Sequence, residues 1–132
     1  MSHEIFWLAL TLGLTLLFWV PYVLNRMVVR GIRGALANPR ADDAPQPAWA
    51  QRARAAHANA VENLAVFAPA AIAIHVAGLG NPLTDLACTL YFGSRLVHFL
   101  VYTAGIPVLR TLAFLAGWGG TVILVARLLG WL

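Results

Sequence analysis

Charge is what this sequence has least of. Only 11% of its 132 residues are charged, against 61% hydrophobic, where a soluble domain carries about 25% charged residues. That deficit leaves too little polar surface to cover a water-soluble fold, and the mean hydropathy of +0.76 agrees. Cysteine is nearly absent: Cys88 stands alone, which excludes an internal disulfide and a cysteine metal site. It lies in an apolar run and reads as a small buried hydrophobe. Strand-like alternation is missing, and the apolar runs are about the 20 residues a helix needs to cross roughly 30 Å of hydrocarbon. An outer-membrane barrel is therefore excluded. What remains is an all-α integral membrane protein.

The first apolar run follows Ser2, His3 and Glu4 and lacks the basic segment and small-residue cleavage site of a signal peptide, so it is expected to stay as the first membrane helix. Pro21 lies inside it and is expected to kink it, because proline removes a backbone bond and crowds the preceding turn. Asn38-Pro39 and Pro45-Gln46-Pro47 mark a loop. A second helix starts near Trp49, carries Pro69, and ends at the tight turn Gly78-Leu79-Gly80-Asn81-Pro82, which allows only an antiparallel hairpin. A third helix breaks at Gly105-Ile106-Pro107, and a fourth continues to the C-terminus. Four membrane helices are expected, at about residues 5–33, 49–77, 83–104 and 108–131, as one domain in an up-down-up-down bundle.

The net charge of +4 comes from arginines beside the helices. They read as orientation charges against an anionic leaflet and not as a nucleic-acid surface. Arg26, Arg30, Arg33, Arg40, Arg52 and Arg54 flank the first connection, against Asp42 and Asp43. This places that connection and the Gly105 turn in the cytoplasm and both termini outside it.

Ionisable groups inside the apolar runs are costly, and they usually face a bundle interior and mark a functional or structural polar site. The stretch RARAAHANAVE, Arg52 to Glu62, carries such groups into the second helix. Asn59 and Glu62 are three apart and share a helix face. Arg95, His98 and Tyr102 form one stripe on the third helix at i, i+3 and i+7. A Glu62–Arg95 ion pair is the most economical way to satisfy both charges, with a role in holding the bundle together, in function, or in both. His98, Tyr102 and Arg110 are expected to converge on a pocket open to the cytoplasm, with His57 at the cytoplasmic end of the second helix. The histidines lack carboxylate partners at metal-ligand spacing, so no metal site is expected. Several guanidiniums near one interface suit a small, multiply anionic ligand.

Four short membrane helices, ALANPR after the first, RARAAHANAVENL entering the second, GSRLVHFLVY on the third and PVLRTLAF opening the fourth together resemble the MAPEG family. These are membrane-associated proteins in eicosanoid and glutathione metabolism, and the similarity covers most of the chain. The resemblance implies a homotrimer in a bacterial inner membrane, holding glutathione between adjacent subunits near the cytoplasmic face. By position, Arg30 meets a glutathione carboxylate, Asn59 and Glu62 bind its backbone or amino group, and His98 and Tyr102 line the same site with Arg95 and His57. Arg110 sits by the sulfur with Thr111 beside it. The chain departs from synthase-like members at Ala58, where they have an arginine, and at Phe114, where some have a tyrosine.

The activity implied is transfer or peroxidase-type chemistry by a glutathione thiolate on a lipophilic small molecule that arrives from the membrane lipid. The alternative is a non-catalytic bundle of the same fold whose polar stripe is structural or binds lipid headgroups. A transporter would need a polar path through the bilayer, and the sequence offers one cluster on one side. The topology is checked by placing a cysteine at Pro45: impermeant thiol reagents applied to intact cells should leave it unlabelled, and labelling would invert the orientation.

Overall fold

A computed structural model describes all 132 residues. They form five helices and no strand: α1 (His3–Leu17), α2 (Val20–Leu36), α3 (Ala48–Val76), α4 (Pro82–Ala104) and α5 (Pro107–Leu128). The first two are halves of one span, His3–Leu36, interrupted at Phe18 and Trp19. Pro21 accounts for the interruption. Its ring crowds the carbonyl four residues back, which belongs to Leu17, the last residue of α1. A second interruption falls at Gly31, where φ is 71° and ψ is 167°. Glycine occupies that region without the steric cost other residues pay. The fold is thus a four-helix membrane bundle whose first member is broken twice.

Three segments are long and apolar enough to cross a membrane by composition, namely His3–Leu36, Ala48–Val76 and Pro107–Leu128. Helix α4 is less apolar because Ser94, Arg95 and His98 lie in it, and all three are buried inside the bundle. Its 23 residues extend about 34 Å at 1.5 Å per residue. Short turns join it to α3 and α5, so it traverses the same thickness. A multi-pass membrane protein follows.

The helix ends explain the turns. Asn81 caps α4 by accepting from the Leu83 and Thr84 amides while the Thr84 hydroxyl accepts from the Asn81 amide at 2.8 Å, a reciprocal capping box. Gly105 closes α4 in the left-handed conformation at φ 83°, and Pro107 opens α5, where its missing N–H costs nothing. The Thr84 hydroxyl also donates to the Glu4 carboxylate at 2.8 Å, and Arg127 Nε donates to the Leu79 carbonyl at 3.0 Å. Both termini and the α3–α4 turn therefore share one end of the bundle. At the other end Arg52 Nε donates to the Thr103 carbonyl at 3.0 Å, and Gln46 Nε2 donates to the Tyr22 carbonyl at 2.7 Å.

Helix contacts in hydrocarbon rest on close packing and small residues, since lipid is as apolar as leucine. One core joins Leu8, Phe67, Ala70, Ala71, Ile74, Ala87, Cys88, Tyr91 and Leu124. A second joins Phe18, Ala53, Ala56, Ala60 and Phe99. Each holds a stacked ring pair, Phe67 on Tyr91 at 3.6 Å and Phe18 on Phe99 at 4.0 Å. Helix α2 buries no residue.

The tightest seam lies between α4 and α5. A Cβ added at Gly120 would stand 2.7 Å from the Ala87 carbonyl oxygen, and that backbone atom cannot swing away. Gly120→Ala should therefore lower stability by about 1–3 kcal/mol, the usual cost of overpacking. Gly119, with nothing within 4 Å of its Cβ position, is the control, and Gly119→Ala should hold its melting temperature in detergent.

Candidate functional site

Helix α5 begins at Pro107, so its first turn, with unpaired amides and the positive end of the helix dipole, lies beside the end of α4. That placement brings Arg110 and Thr111 from α5 up to His98 and Tyr102 from α4, with Asn59 from α3 closing the third side. These five residues and Phe114 line an open cleft of about 270 Å³. The Arg110 guanidinium lies over the Tyr102 ring, 4.4 Å from its centroid, inside the range of a cation–π contact. No carboxylate pairs with Arg110. The His98 and Tyr102 rings meet edge to face at 5.5 Å. The Thr111 hydroxyl donates to the Pro107 carbonyl at 3.2 Å, and the residue is exposed to the cleft mouth.

Behind this cleft Arg95 is buried, 2% exposed. Its Nη1 donates to Asn59 Oδ1 at 2.9 Å, and its guanidinium carbon lies 5.7 Å from the centroids of both Tyr91 and Phe114. Asn63 Nδ2 donates to the Asn59 carbonyl at 2.8 Å and to its Oδ1 at 3.3 Å. Asn59 is thereby held between a charge and an amide, with its side chain fixed toward α4.

The Glu62–Arg95 ion pair expected from the sequence does not form. Arg95 takes its hydrogen bond from the neutral Asn59 amide, and Glu62 is exposed on α3. Spacing by three turns Glu62 about 60° from Asn59 around a helix of 3.6 residues per turn. That is enough to carry it off the buried seam.

Two further residues singled out in the sequence lie elsewhere. His57 is two positions before Asn59 and so points to the other side of α3. Its Nδ1 lies 2.8 Å from the Tyr22 hydroxyl, beside Phe18. Arg30, at the opposite wall, donates from Nε to the Ala44 carbonyl at 2.9 Å and sits 3.5 Å from the Asp43 carboxylate. It borders a second cleft of about 500 Å³ with Gln46, Gln51 and Arg54. Tyr22 and the two glutamines are not expected from the sequence, and Arg54 is expected only as an orientation charge. Tyr22 meets His57 across 35 positions, a pairing that no local period announces.

The chemistry of the first cleft is that of an anion site. It combines an unpaired guanidinium, a helix N-terminus, a hydroxyl and an amide at the end of an otherwise apolar bundle. The profile of the MAPEG family matches residues 5–130, nearly the whole chain. The chain belongs to the MAPEG family. That family includes glutathione-dependent enzymes. No curated protein and no solved structure matches the chain. The chain brings Asn59, His98, Tyr102, Arg110 and Thr111 to a single cleft and leaves Arg30, His57 and Glu62 outside it.

The Asn59–Arg95 bond supports a prediction on stability. Asn59→Ala removes the only hydrogen bond to a buried guanidinium and should cost about 1.5–3 kcal/mol, the scale for bonds to charged groups. Glu62→Gln, at an exposed position, should stay within about 0.5 kcal/mol. Thermal unfolding in detergent without ligand compares the two, and equal losses would contradict the geometry.

Proposed function

We propose that this protein is a glutathione-dependent membrane enzyme that conjugates or reduces a lipophilic electrophile or hydroperoxide through a glutathione thiolate. The observation that carries the reading is the Arg110 guanidinium, unpaired and laid over Tyr102 at the open mouth of a cleft that also holds Thr111. A thiol of pKa about 8.5 is mostly protonated at neutral pH. A guanidinium within a few ångströms, a hydroxyl donor and a helix N-terminus all favour its anionic form. Each pKa unit lost by the thiol corresponds to about 1.4 kcal/mol. Arg110 holds the sulfur as thiolate, and Thr111 donates to it once its hydroxyl turns from the Pro107 carbonyl it meets in the empty cleft. No general base is needed once the thiolate is bound.

In this reading Asn59 meets the tripeptide backbone, with His98 and Tyr102 along its length. Arg95 acts through Asn59, which it holds in place. Arg30 and Glu62 lie outside the cleft of their own chain, so they reach the ligand in a homotrimer, where one subunit's Arg30 faces its neighbour's cleft. Exposed apolar side chains such as Leu16, Val28, Val66 and Leu112 give the neighbouring subunits and the lipid their contact surface. The lipophilic substrate enters sideways from the lipid. The setting is a bacterial inner membrane with the cleft on the cytoplasmic face and both termini on the other. The burial of Arg95 and its bond to Asn59 favour the second reading, a non-catalytic bundle with a structural polar stripe, for that pair alone.

Two measurements test this function. Millimolar glutathione should raise the melting temperature of the detergent-purified protein, while an unrelated anionic tripeptide should not. A ligand at 100 times its Kd contributes about 2.7 kcal/mol. Arg110→Ala should abolish the ultraviolet thiolate absorbance that appears when glutathione binds. No thermal shift at saturation would move the assignment to the non-catalytic bundle, and unchanged absorbance in the variant would remove Arg110 from its role.

A further inference from the structure

Arg30 is already engaged by a carboxylate from its own chain. Its Nη1 lies 3.5 Å from Asp43 Oδ2, and both side chains are about one-fifth exposed, 21% and 23%. The contact is long for a charge-assisted bond, which is usually about 2.7–2.9 Å. It is also single, because Arg30 Nε is occupied by the Ala44 carbonyl. A guanidinium fork binds a carboxylate best with two parallel donors, and Asp43 does not supply that geometry. Its Oδ2 is shared with the Arg40 amide at 2.8 Å.

The cleft beside this pair has a second guanidinium, Arg54, which is exposed and has no anionic partner. Arg30 has one carboxylate and Arg54 has none, so an incoming anion meets a positive cleft. The chain is also jointed here. Arg30 is the last residue before the break at Gly31, and Gln46 pins the far end of the loop to α2 through the Tyr22 carbonyl and Asn25 Oδ1, so the segment between these two points is held to α2 by the Arg30 contacts with Asp43 and Ala44.

We propose that Asp43 is an internal carboxylate that occupies Arg30 while the ligand site is empty, and that a carboxylate of the incoming peptide ligand displaces it and frees the loop. This rests on the glutathione reading above. Being tethered, Asp43 competes at a high effective concentration, so it weakens ligand binding without preventing it. Arg54 draws the anion to the cleft before the exchange. Asp43→Asn keeps an oxygen to accept the Arg40 amide and removes the competing charge. Asp42→Asn is the matched control: it changes net charge equally, and Asp42 pairs only with Arg40, at 3.1 Å.

Isothermal titration of the purified protein with glutathione tests the exchange. Asp43→Asn should lower the Kd about two- to five-fold, the range a partly exposed ion pair supports, and Asp42→Asn should leave it unchanged. Tryptic cleavage after Arg40 should quicken when glutathione is added to the wild type and should already be fast in Asp43→Asn without it. Equal Kd values in all three proteins, with glutathione still bound, would overturn the latch and leave the enzyme reading standing. Equal tightening in both variants, lost binding in Asp43→Asn alone, or slower cleavage with glutathione would also overturn it. If none of the three binds glutathione, the function and the latch fall together.

Discussion

Everything in this bundle is arranged around one guanidinium in hydrocarbon. A charge on a membrane helix is tolerated when it faces the interior and finds a partner, and Arg95 finds Asn59 on α3 and two ring faces on α4 and α5. That need fixes how α4 turns about its axis. Once Arg95 points inward, His98 and Tyr102, one and two turns on, follow it along the same face. The cleft is the open end of that stripe. The buried arginine thus works together with the Ala87–Gly120 seam and the Phe67–Tyr91 stack to set the rotation of α4 that brings its histidine and tyrosine to Arg110.

The interior partner is an amide and not a carboxylate, and this has a chemical consequence. An internal ion pair would have cancelled the positive charge. The amide leaves it in place, so the cleft is bounded by Arg110 at its mouth and by Arg95 behind Asn59, with the start of α5 adding its dipole. Such a site favours anions before any specific contact is made. The same logic separates the roles of the two arginines. One is covered and holds another side chain, while the other stands at the surface with only a tyrosine ring beneath it.

Much of this was legible in the residue order. Hydropathy and the breakers gave an all-helical membrane bundle, and the Arg95, His98, Tyr102 spacing gave the face on which α4 is polar. The broken first span follows from Pro21, whose effect appears at Leu17 because proline acts on the carbonyl four residues earlier. Gly31 was not legible, since an isolated glycine among helix formers carries no sign of the φ it will adopt. The Glu62–Arg95 pair failed for a related reason: opposite charges attract in any sequence, but whether two side chains share a seam depends on about 60° of helix rotation that packing decides. The Tyr22–His57 contact and the Arg30–Asp43 pair depend on how the first connection folds back, and no periodicity reports on that.

Helix α2 differs from its neighbours in having no buried residue. It is held by the Tyr22 hydroxyl on His57 and by Gln46, and it is broken before Val20 and again at Gly31. Native-state opening is cheapest where few apolar contacts are lost, whereas the glycine-tight α4–α5 seam opens only with the whole bundle. The molecule therefore has a graded interior. Within a single chain, parting α4 from α5 exposes buried apolar surface, while parting α2 exposes none that is fully buried. The wall carrying His98, Tyr102, Arg110 and Thr111 thus stands on the two helices that share the glycine-tight seam.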